Sequence, residues 1–595
     1  MKAAQIIRSR VVLALALGVA SPACSQAPAV APPPDGGAGG QGSGGNGGDG
    51  GSQPDASAPD PSDALFDPAH VLDVVIDLAP ADWDALRFQG RSVADELGEG
   101  CQDGDKPNPF TQFPATVTID GVKLEMSAVR KKGFFGSASL SKPSLKISFD
   151  EYLPGREHAG AEGLTLNNSQ QDPSFVKTCL ALDLFRKAGL PASRCNHATV
   201  TVNGAKLGVY VNVEPVKKRM LAHFFTDTTG NLYEGQLSDL RPGFSATYEK
   251  KTNADSPDRG DLDAITAALS ANDAELVGAL GEVVDLGKFT RFWAMEALLA
   301  AWDGYTGNLN NHFIYNDPTS KKMVFFPWGP DMSFSKDDPF NPSNRPQSVS
   351  AKGVLAERLY ALPSSKQAYV AEMGKLLDEV WKEAEILGEI DRVQALLAPY
   401  PGAGTLAADA TTSAVRAFIE GRRATILAEI VPSAPTWPYP PPSSGCLAEV
   451  GIVSGTFSTT FDTLTNPNPF ATGTGVFHLT LTGGAPMTAT EVGAAAGYES
   501  GKKGRRQINV LGKFPDGSLR AVVFQIDPEV FAPGKEAPYD WQSIFALALD
   551  IPAPGKTKLM GLFGDGKLHL DEASTVIGAK VSGSFTGSLL VNPFN

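Results

Sequence analysis

Cysteine and histidine are scarce in this 595-residue chain, with five of the first and seven of the second and no Cys-x-x-Cys among them. Soft and imidazole ligands scattered this way do not build a zinc site. Positive charge is short as well. Asp and Glu number 66 against 51 Lys and Arg, giving a formal net charge of −15. Nothing offsets repulsion from a phosphate backbone, so a generic nucleic-acid binder is excluded, while a nucleotide held by a local cation is not. No stretch reads as a membrane-spanning helix.

Apolar content of 42% and charged content of 20% fit soluble globular protein, and the length suggests several units. Lys2, Arg8 and Arg10 precede a short apolar run, VVLALALGVA (11–20), which is the pattern of an export signal. Ser21-Pro22-Ala23-Cys24 follows, and small residues before a lone cysteine resemble a lipoprotein signal. Residues 1–24 are therefore expected to address an exported chain to the cell envelope through a lipid on Cys24. Pro22 departs from the pattern and leaves plain secretion as the alternative. Cys101, Cys179, Cys195 and Cys446 suit two disulfides. Cys179 with Cys195, either side of one expected helix, is the preferred pair, and buried free thiols are the alternative.

Residues 25–64, rich in Gly, Pro, Ser and Asp, bury nothing and read as a flexible tether, with structure expected from Leu65. From there to 431 strands and helices mix. ATVTIDGVKLEMSAVR (115–130) and ATVTVNGAKLGVYVNVEPV (198–216) read as hairpins turning at Asp120-Gly121 and Asn203-Gly204. SLKISFD (144–150) alternates, placing Lys146 opposite the apolar face. A helix is expected from Asp172-Pro173 to Gly189, another over 285–302, and helices alone over 352–430. PSAPTWPYPPP (432–442) opens a stiff linker reaching 445. From Cys446 to 595, short alternating strands predict a separate all-β unit, sandwich or barrel.

The densest polar stretch is DGYTGNLNNHFIYNDPTSKKMVFFPWGPDMSF (303–334). Asp303 follows the expected helix, Asn308, Asn310 and Asn311 precede a hairpin turning at Asp317-Pro318, and Asp331 lies just past the returning strand. A hairpin brings its ends together, so these groups can converge. Mg²⁺ takes oxygen ligands and shares its shell with phosphates, so one carboxylate and one amide oxygen are a sufficient protein share. In protein kinases the catalytic Asp and a metal-binding Asn lie five apart, before a strand. Asn308 has that spacing from Asp303, whereas Asn311 abuts the strand. Both stay open, with Asn311 favoured. Turn-forming Asp and Asn with no ligand are the competing reading.

Four ordered blocks carry a resemblance: KKGFFGSASLSKPSLKISF (131–149), LNNSQQDPSFVKTCLALDLFRKAGLPA (166–192), VTVNGAKLGVYVNVEPV (200–216) and the 302–334 stretch. Together they resemble the spore coat protein H (CotH-type) kinase family of secreted atypical protein kinases. The resemblance implies an α+β fold with an atypical protein-kinase-like core and a C-terminal helical segment (65–431), ahead of the small all-β domain. It implies ATP with Mg²⁺ or Mn²⁺, and Ser or Thr hydroxyls of exported proteins as acceptors. Asp303 is then the catalytic Asp, and Asp331 the metal ligand with Asn311 or Asn308. Lys142 or Lys146 would meet the phosphates, with Glu214 as the lysine's ion-pair partner. Many members read Pro-Trp-Asp-x-Asp where this chain has Pro-Trp-Gly-Pro-Asp, so Gly329 removes a carboxylate. A non-catalytic surface protein that keeps the fold for adhesion or scaffolding is the rival reading, and a glycan-binding β unit a third.

Overall fold

The computed structural model describes residues 60–591, apart from 105–107, 337, 339–343, 401, 403–404, 432, 442–445, 467, 500–503 and 554–555. The expected signal, the lipid site at Cys24 and nearly all of the tether lie outside the described residues. Regular structure begins ahead of Leu65, in a 3₁₀ turn over Pro61–Phe66 whose first amides are capped by Asp60. Among the described residues no helix is long and apolar enough to cross a membrane.

Seven strands close a barrel: β1 (Val71–Asp77), β2 (Phe113–Ile119), β3 (Val122–Lys132), β4 (Ser144–Ser148), β5 (Gly163–Asn167), β6 (Cys195–Val202) and β7 (Ala205–Val213). Their order is β1-β2-β3-β4-β5-β7-β6, and β1 pairs parallel to β6 to complete the ring. Both hairpins turn where the sequence places them. Asp120-Gly121 and Asn203-Gly204 have positive φ at both central residues, as a right-twisting two-residue turn requires. Leu72, Val74, Ile76, Leu145, Ile147, Leu164 and Leu166 fill the interior, and Lys146 stands on the outer face.

The second layer is a four-stranded sheet of β8 (Leu232–Gly235), β9 (Tyr248–Lys250), β10 (His312–Asp317) and β11 (Lys322–Pro327), in the order β11-β10-β8-β9. The helix Leu286–Leu298 lies against it, with Phe289 and Phe292 at ring distances of 5.0 and 6.1 Å from Phe325. Four helices, Val354–Ala361, Pro363–Glu379, Glu383–Leu397 and Leu406–Ile430, pack behind it. The buried Arg422 donates to the carbonyls of Ala297 and Leu298, so the last of these helices caps the end of the one that leads to Asp303.

Ten further strands, β12 (Ala448–Thr460), β13 (Gly473–Leu481), β14 (Met487–Thr488), β15 (Glu491–Tyr498), β16 (Arg506–Lys513), β17 (Leu519–Ile526), β18 (Lys535–Pro538), β19 (Ile544–Ala553), β20 (Lys556–Glu572) and β21 (Lys580–Val591), form one antiparallel sheet. The order is β14-β13-β12-β21-β20-β19-β17-β16-β15, with β18 on β20. Thr459 and Thr472 both donate to the Ala494 carbonyl, so the sheet curls until its two ends meet. An all-β C-terminal region and a mixed helix-and-sheet body are both present.

This sheet does not stand apart. Cys101–Cys446 ties it to the segment following β1, Phe135 stacks on Trp541 at 4.9 Å, and the buried Lys131 ammonium donates to Gln542 Oε1 as well as to the carbonyls of Arg87 and Gln89. The other disulfide is Cys179–Cys195. Cys179 sits in the first turn of its helix, Lys177–Lys187, which starts later than the Asp172-Pro173 pair suggests. Phe175 adopts φ of 60°, which no helix continues through, and Asp172 instead accepts from the Ser174 and Lys177 amides ahead of the first turn.

Candidate active site

The helix expected to run to Asp303 stops at Leu298. Ala300 takes φ of 50°, turning the chain so that Ala301 N–H bonds back to the Glu296 carbonyl. Glu296, buried in the last turn, then organises the segment after Asp303. Its carboxylate accepts from the Tyr305 and Thr306 amides at 2.9 and 2.8 Å and from the Thr306 hydroxyl at 2.6 Å. Gly304 makes this approach possible, because a Cβ there would lie 2.1 Å from Glu296 Oε1. The result is a one-turn helix, Tyr305–Asn308, ended by Leu309 at φ of 58°.

That turn brings three amides onto one carboxylate. Asp303 Oδ1 accepts from Asn308 Nδ2 at 2.8 Å and Asn310 Nδ2 at 3.3 Å, and Oδ2 accepts from Asn311 Nδ2 at 2.8 Å. The residues left open by spacing are therefore both at Asp303, and Asn310 joins them. Burial pushes Asp303 up to about 6, against the pull of the three amides, and the Asp338 charge adds to it.

Asn311 alone also reaches the far side of the hairpin. Its carbonyl accepts from Trp328 N–H, and its Oδ1 would lie 3.2 Å from a Cβ built on Gly329. Gly329, at φ of 50°, starts the 3₁₀ turn Pro330–Met332 that presents Asp331. Burial pushes Asp331 up to about 7, and the charges of Asp303 and Asp172 push the same way against Lys132. Its carboxylate has no hydrogen bond from another residue among the described residues. Four non-glycine residues in this one region, Ala300, Leu309, Asn311 and Phe334, hold left-handed φ between 47° and 59°. Strained backbone kept by its surroundings gathers at sites of function.

Beneath these groups is a cavity of about 10 Å³, lined by Glu296, Asp303, Asn311, Gly329 and Ser333, room for about one water. The buried Ser333 hydroxyl has no partner there. No group of three or more His, Cys, Asp or Glu side chains among the described residues is placed to hold a metal ion. What is present is a carboxylate, Asp331, that feels the charge of Lys132 but takes no hydrogen bond from another described residue, beside a second carboxylate and an amide oxygen, all hard donors. That set fits Mg²⁺ or Mn²⁺ completed by phosphate oxygens.

The lysines divide. Lys142 Nζ donates to the Val209 carbonyl at 2.7 Å and lies over the Phe175 and Tyr210 rings, with no acid paired to it. Burial alone pushes it down to about 8. Lys146 faces outward among Arg130, Lys251 and Lys217, and its ammonium has no hydrogen-bond partner among the described residues. Burial pushes it down to about 8, those cations push further, and Glu234 opposes them. Lys132, the last residue of β3, is the lysine whose charge reaches Asp331; it bonds Asn167 Oδ1 at 2.6 Å and is also pushed by burial down to about 8. The acid among these cations is Glu234 on β8, which Lys251, Lys146 and Lys132 hold below the usual carboxylate range despite its burial. Glu214 pairs elsewhere. Arg194 grips both its oxygens, at 2.6 and 3.1 Å, so the expected partnership with Lys142 or Lys146 is not formed. Arg194 directly precedes β6, and its carbonyl accepts from the Glu214 amide just past β7, whereas the lysines lie on β4 and the loop before it.

Residues 129–412 match the family model described as CotH kinase protein. Over those residues, somewhat less than half of its length, the chain is similar to CotH-type proteins. It is 26% identical over 237 residues to inner spore coat protein H of Bacillus subtilis, covering 38% of this chain and 63% of that protein. It is 23% identical over 291 residues to invasin CotH7 of Rhizopus delemar, covering 42% and 48% respectively. The chain thus spans less than two thirds of the length of these relatives. The crystal structure of the Helicobacter pylori proinflammatory kinase CtkA aligns at 11% identity and a TM-score of 0.24, over 48% of this chain and 91% of that one. That score is too low to carry an argument.

In the matched region the residues that sequence reasoning missed are Glu296 and Glu234, while Asn310 and Lys132 stand in the quoted stretches with no role assigned to either side chain. Glu296 carried a signal: it is the one acid in the apolar helix FWAMEALLAA, and a buried charge needs partners. Glu234 in LYEG carried none, because its cations come from β3, β4 and the residue that follows β9.

Proposed function

We propose that this protein transfers the γ-phosphate of ATP to Ser or Thr hydroxyls of proteins outside the cytoplasm. The observation that supports it best is Asp303, fixed at both oxygens by three asparagine amides beside Asp331. Asp303 orients the acceptor hydroxyl and takes its proton as the oxygen attacks the γ-phosphorus and the bond to the β-phosphate oxygen breaks. Asp331 with Asn311 would hold Mg²⁺ or Mn²⁺, which neutralises phosphate charge when bound. Lys132 and Lys146 would contact phosphate oxygens, with Glu234 balancing their charge. Lys142 and Glu214 take no part. Relatives named for a spore coat and as invasins support a surface or extracellular location, and the Cys24 anchor belongs to the same proposal.

A second reading, an inactive surface protein used for adhesion, has its own support in Gly329 and in the name invasin carried by a relative. One experiment separates them: ATP turnover and autophosphorylation by the full chain with Mg²⁺ or Mn²⁺, beside Asp303→Ala. Metal-dependent turnover abolished by Asp303→Ala supports transfer. No turnover with either metal, in protein that also shows no ATP-dependent thermal shift, leaves the adhesive reading.

A further inference from the structure

We infer that the C-terminal sheet fixes the 133–141 loop at the edge of the candidate site, with Phe135, Leu140 and Trp541 as positioning residues. Its consequence for nucleotide binding rests on the proposed phosphotransfer; its geometry does not.

The loop leaves β3 directly after Lys132, whose charge reaches Asp331. Further on, Gly136 packs against Gln171, next to Asp172, whose charge also reaches Asp331. Asn168 binds the Ser137 and Lys142 carbonyls through its amide. The loop therefore starts at the edge of the candidate site, where Lys132 Nζ lies 5.4 Å over the ring of Trp328, which lines the cavity with Asp303 and Gly329. Its sequence, GFFGSASLS, has little means of holding that place alone: two glycines, three serines, and a single 3₁₀ turn over Phe135–Ser137.

Its two buried apolar side chains point into the other unit. Leu140 is fully buried and belongs to the same core as Val453, Phe477, Phe524 and Phe585, all residues of the C-terminal sheet. Phe135 lies in a second cluster with Leu447, Leu547 and Leu590, stacked on Trp541, which itself holds φ of 66°. The strand feeding the loop is latched at the same place, through Lys131 to Gln542. A module that merely followed the domain in sequence would complete its own core.

The test uses the full chain and compares wild type, Trp541→Ala and Trp541→Phe. Hydrogen exchange of backbone amides in 133–141 is read first, then the split of ATP KM against kcat. Trp541→Ala is expected to speed exchange of the loop about tenfold while β1 and β6 stay protected, and to raise ATP KM about fivefold with kcat held within about twofold. Trp541→Phe, which keeps a ring for Phe135, restores both. Phe135→Ala removes the stack from the loop side and decides the matter if Trp541→Ala fails to fold. Unchanged loop exchange in a folded variant overturns the inference, and so does faster exchange with an unchanged KM. If the wild type binds no ATP, the function proposed for the site fails, and the exchange comparison alone still decides whether the sheet fixes the loop.

Discussion

Replacing Gly329 by aspartate restores the carboxylate that many CotH-type sequences carry, and its effect can be worked out term by term. Position 329 has φ of 50° and ψ of 48°. A side chain there costs about 1 kcal/mol of backbone strain, at the low end because Asp tolerates this region better than most. The new Cβ would sit 3.2 Å from Asn311 Oδ1, so the amide must give by a few tenths of an ångström. The larger cost is electrostatic. Asp331 and Asp303 already hold protons up to about 7 and about 6, and a third acid within about 7 Å adds about 2 kcal/mol at an effective dielectric of about 20. Urea denaturation at pH 8 without metal should show Gly329→Asp destabilised by about 3 kcal/mol. With saturating Mg²⁺ or Mn²⁺ the gap should close by half or more, because a cation bound only to the folded state stabilises it in proportion to its affinity. An equal loss with and without metal would refute a cation site beside Asp331. No loss at all would refute the crowding of carboxylates on which the site is argued.

Asp303→Asn removes the base and sets an NH2 against at least one of the donating amides, so turnover should fall by about 10² to 10⁴ with a stability loss of about 1 to 3 kcal/mol; full activity in that variant would sink the assignment. Lys132→Ala should raise ATP KM while Lys142→Ala leaves it unchanged, and steady-state kinetics on both decides which lysine meets phosphate. Glu296→Ala strips the acceptor from two amides and a hydroxyl, so denaturation should show a loss of about 3 kcal/mol or more; a loss under about 1 kcal/mol would show that water replaces it freely. Asp331 has a folded pKa near about 7, above its unfolded value, so the native state binds the extra proton and metal-free stability falls as pH rises through that interval. Asp331→Asn should accordingly stabilise the metal-free protein at pH 8 by about 2 to 4 kcal/mol more than at pH 5, and an equal effect at both would remove the argument.

What could be read from sequence was local chemistry. Asp120-Gly121 and Asn203-Gly204 specify their turns by needing φ above zero, and the alternation in SLKISFD puts Lys146 outside before any barrel is known. Asp303, Asn308 and Asn311 could be gathered because they lie close together in sequence, just ahead of one hairpin. What failed was either a single dihedral or a distant partner. Ala300 ends a helix whose composition would continue it, and Phe175 delays another. Arg194, just ahead of β6, claims Glu214, and Glu234 finds its lysines on β3, on β4 and just past β9. The docking of Trp541 onto Phe135 joins side chains some four hundred residues apart, and no periodicity reports that.

The place of β21 in its sheet has a consequence for timing. The last of the described strands, Lys580–Val591, lies in the middle of the sheet, between β12 and β20 rather than at an edge. Phe585 and Leu589 on it complete the core in which Leu140 is buried. A ribosome finishes the barrel, the Asp303 turn and Asp331 long before it makes those residues. Until β21 has emerged and inserted, Leu140 lacks Phe585 and Leu589 as neighbours in its core. On the inference that the sheet fixes the loop beside Lys132, the order of synthesis delays that anchoring until β21 is in place.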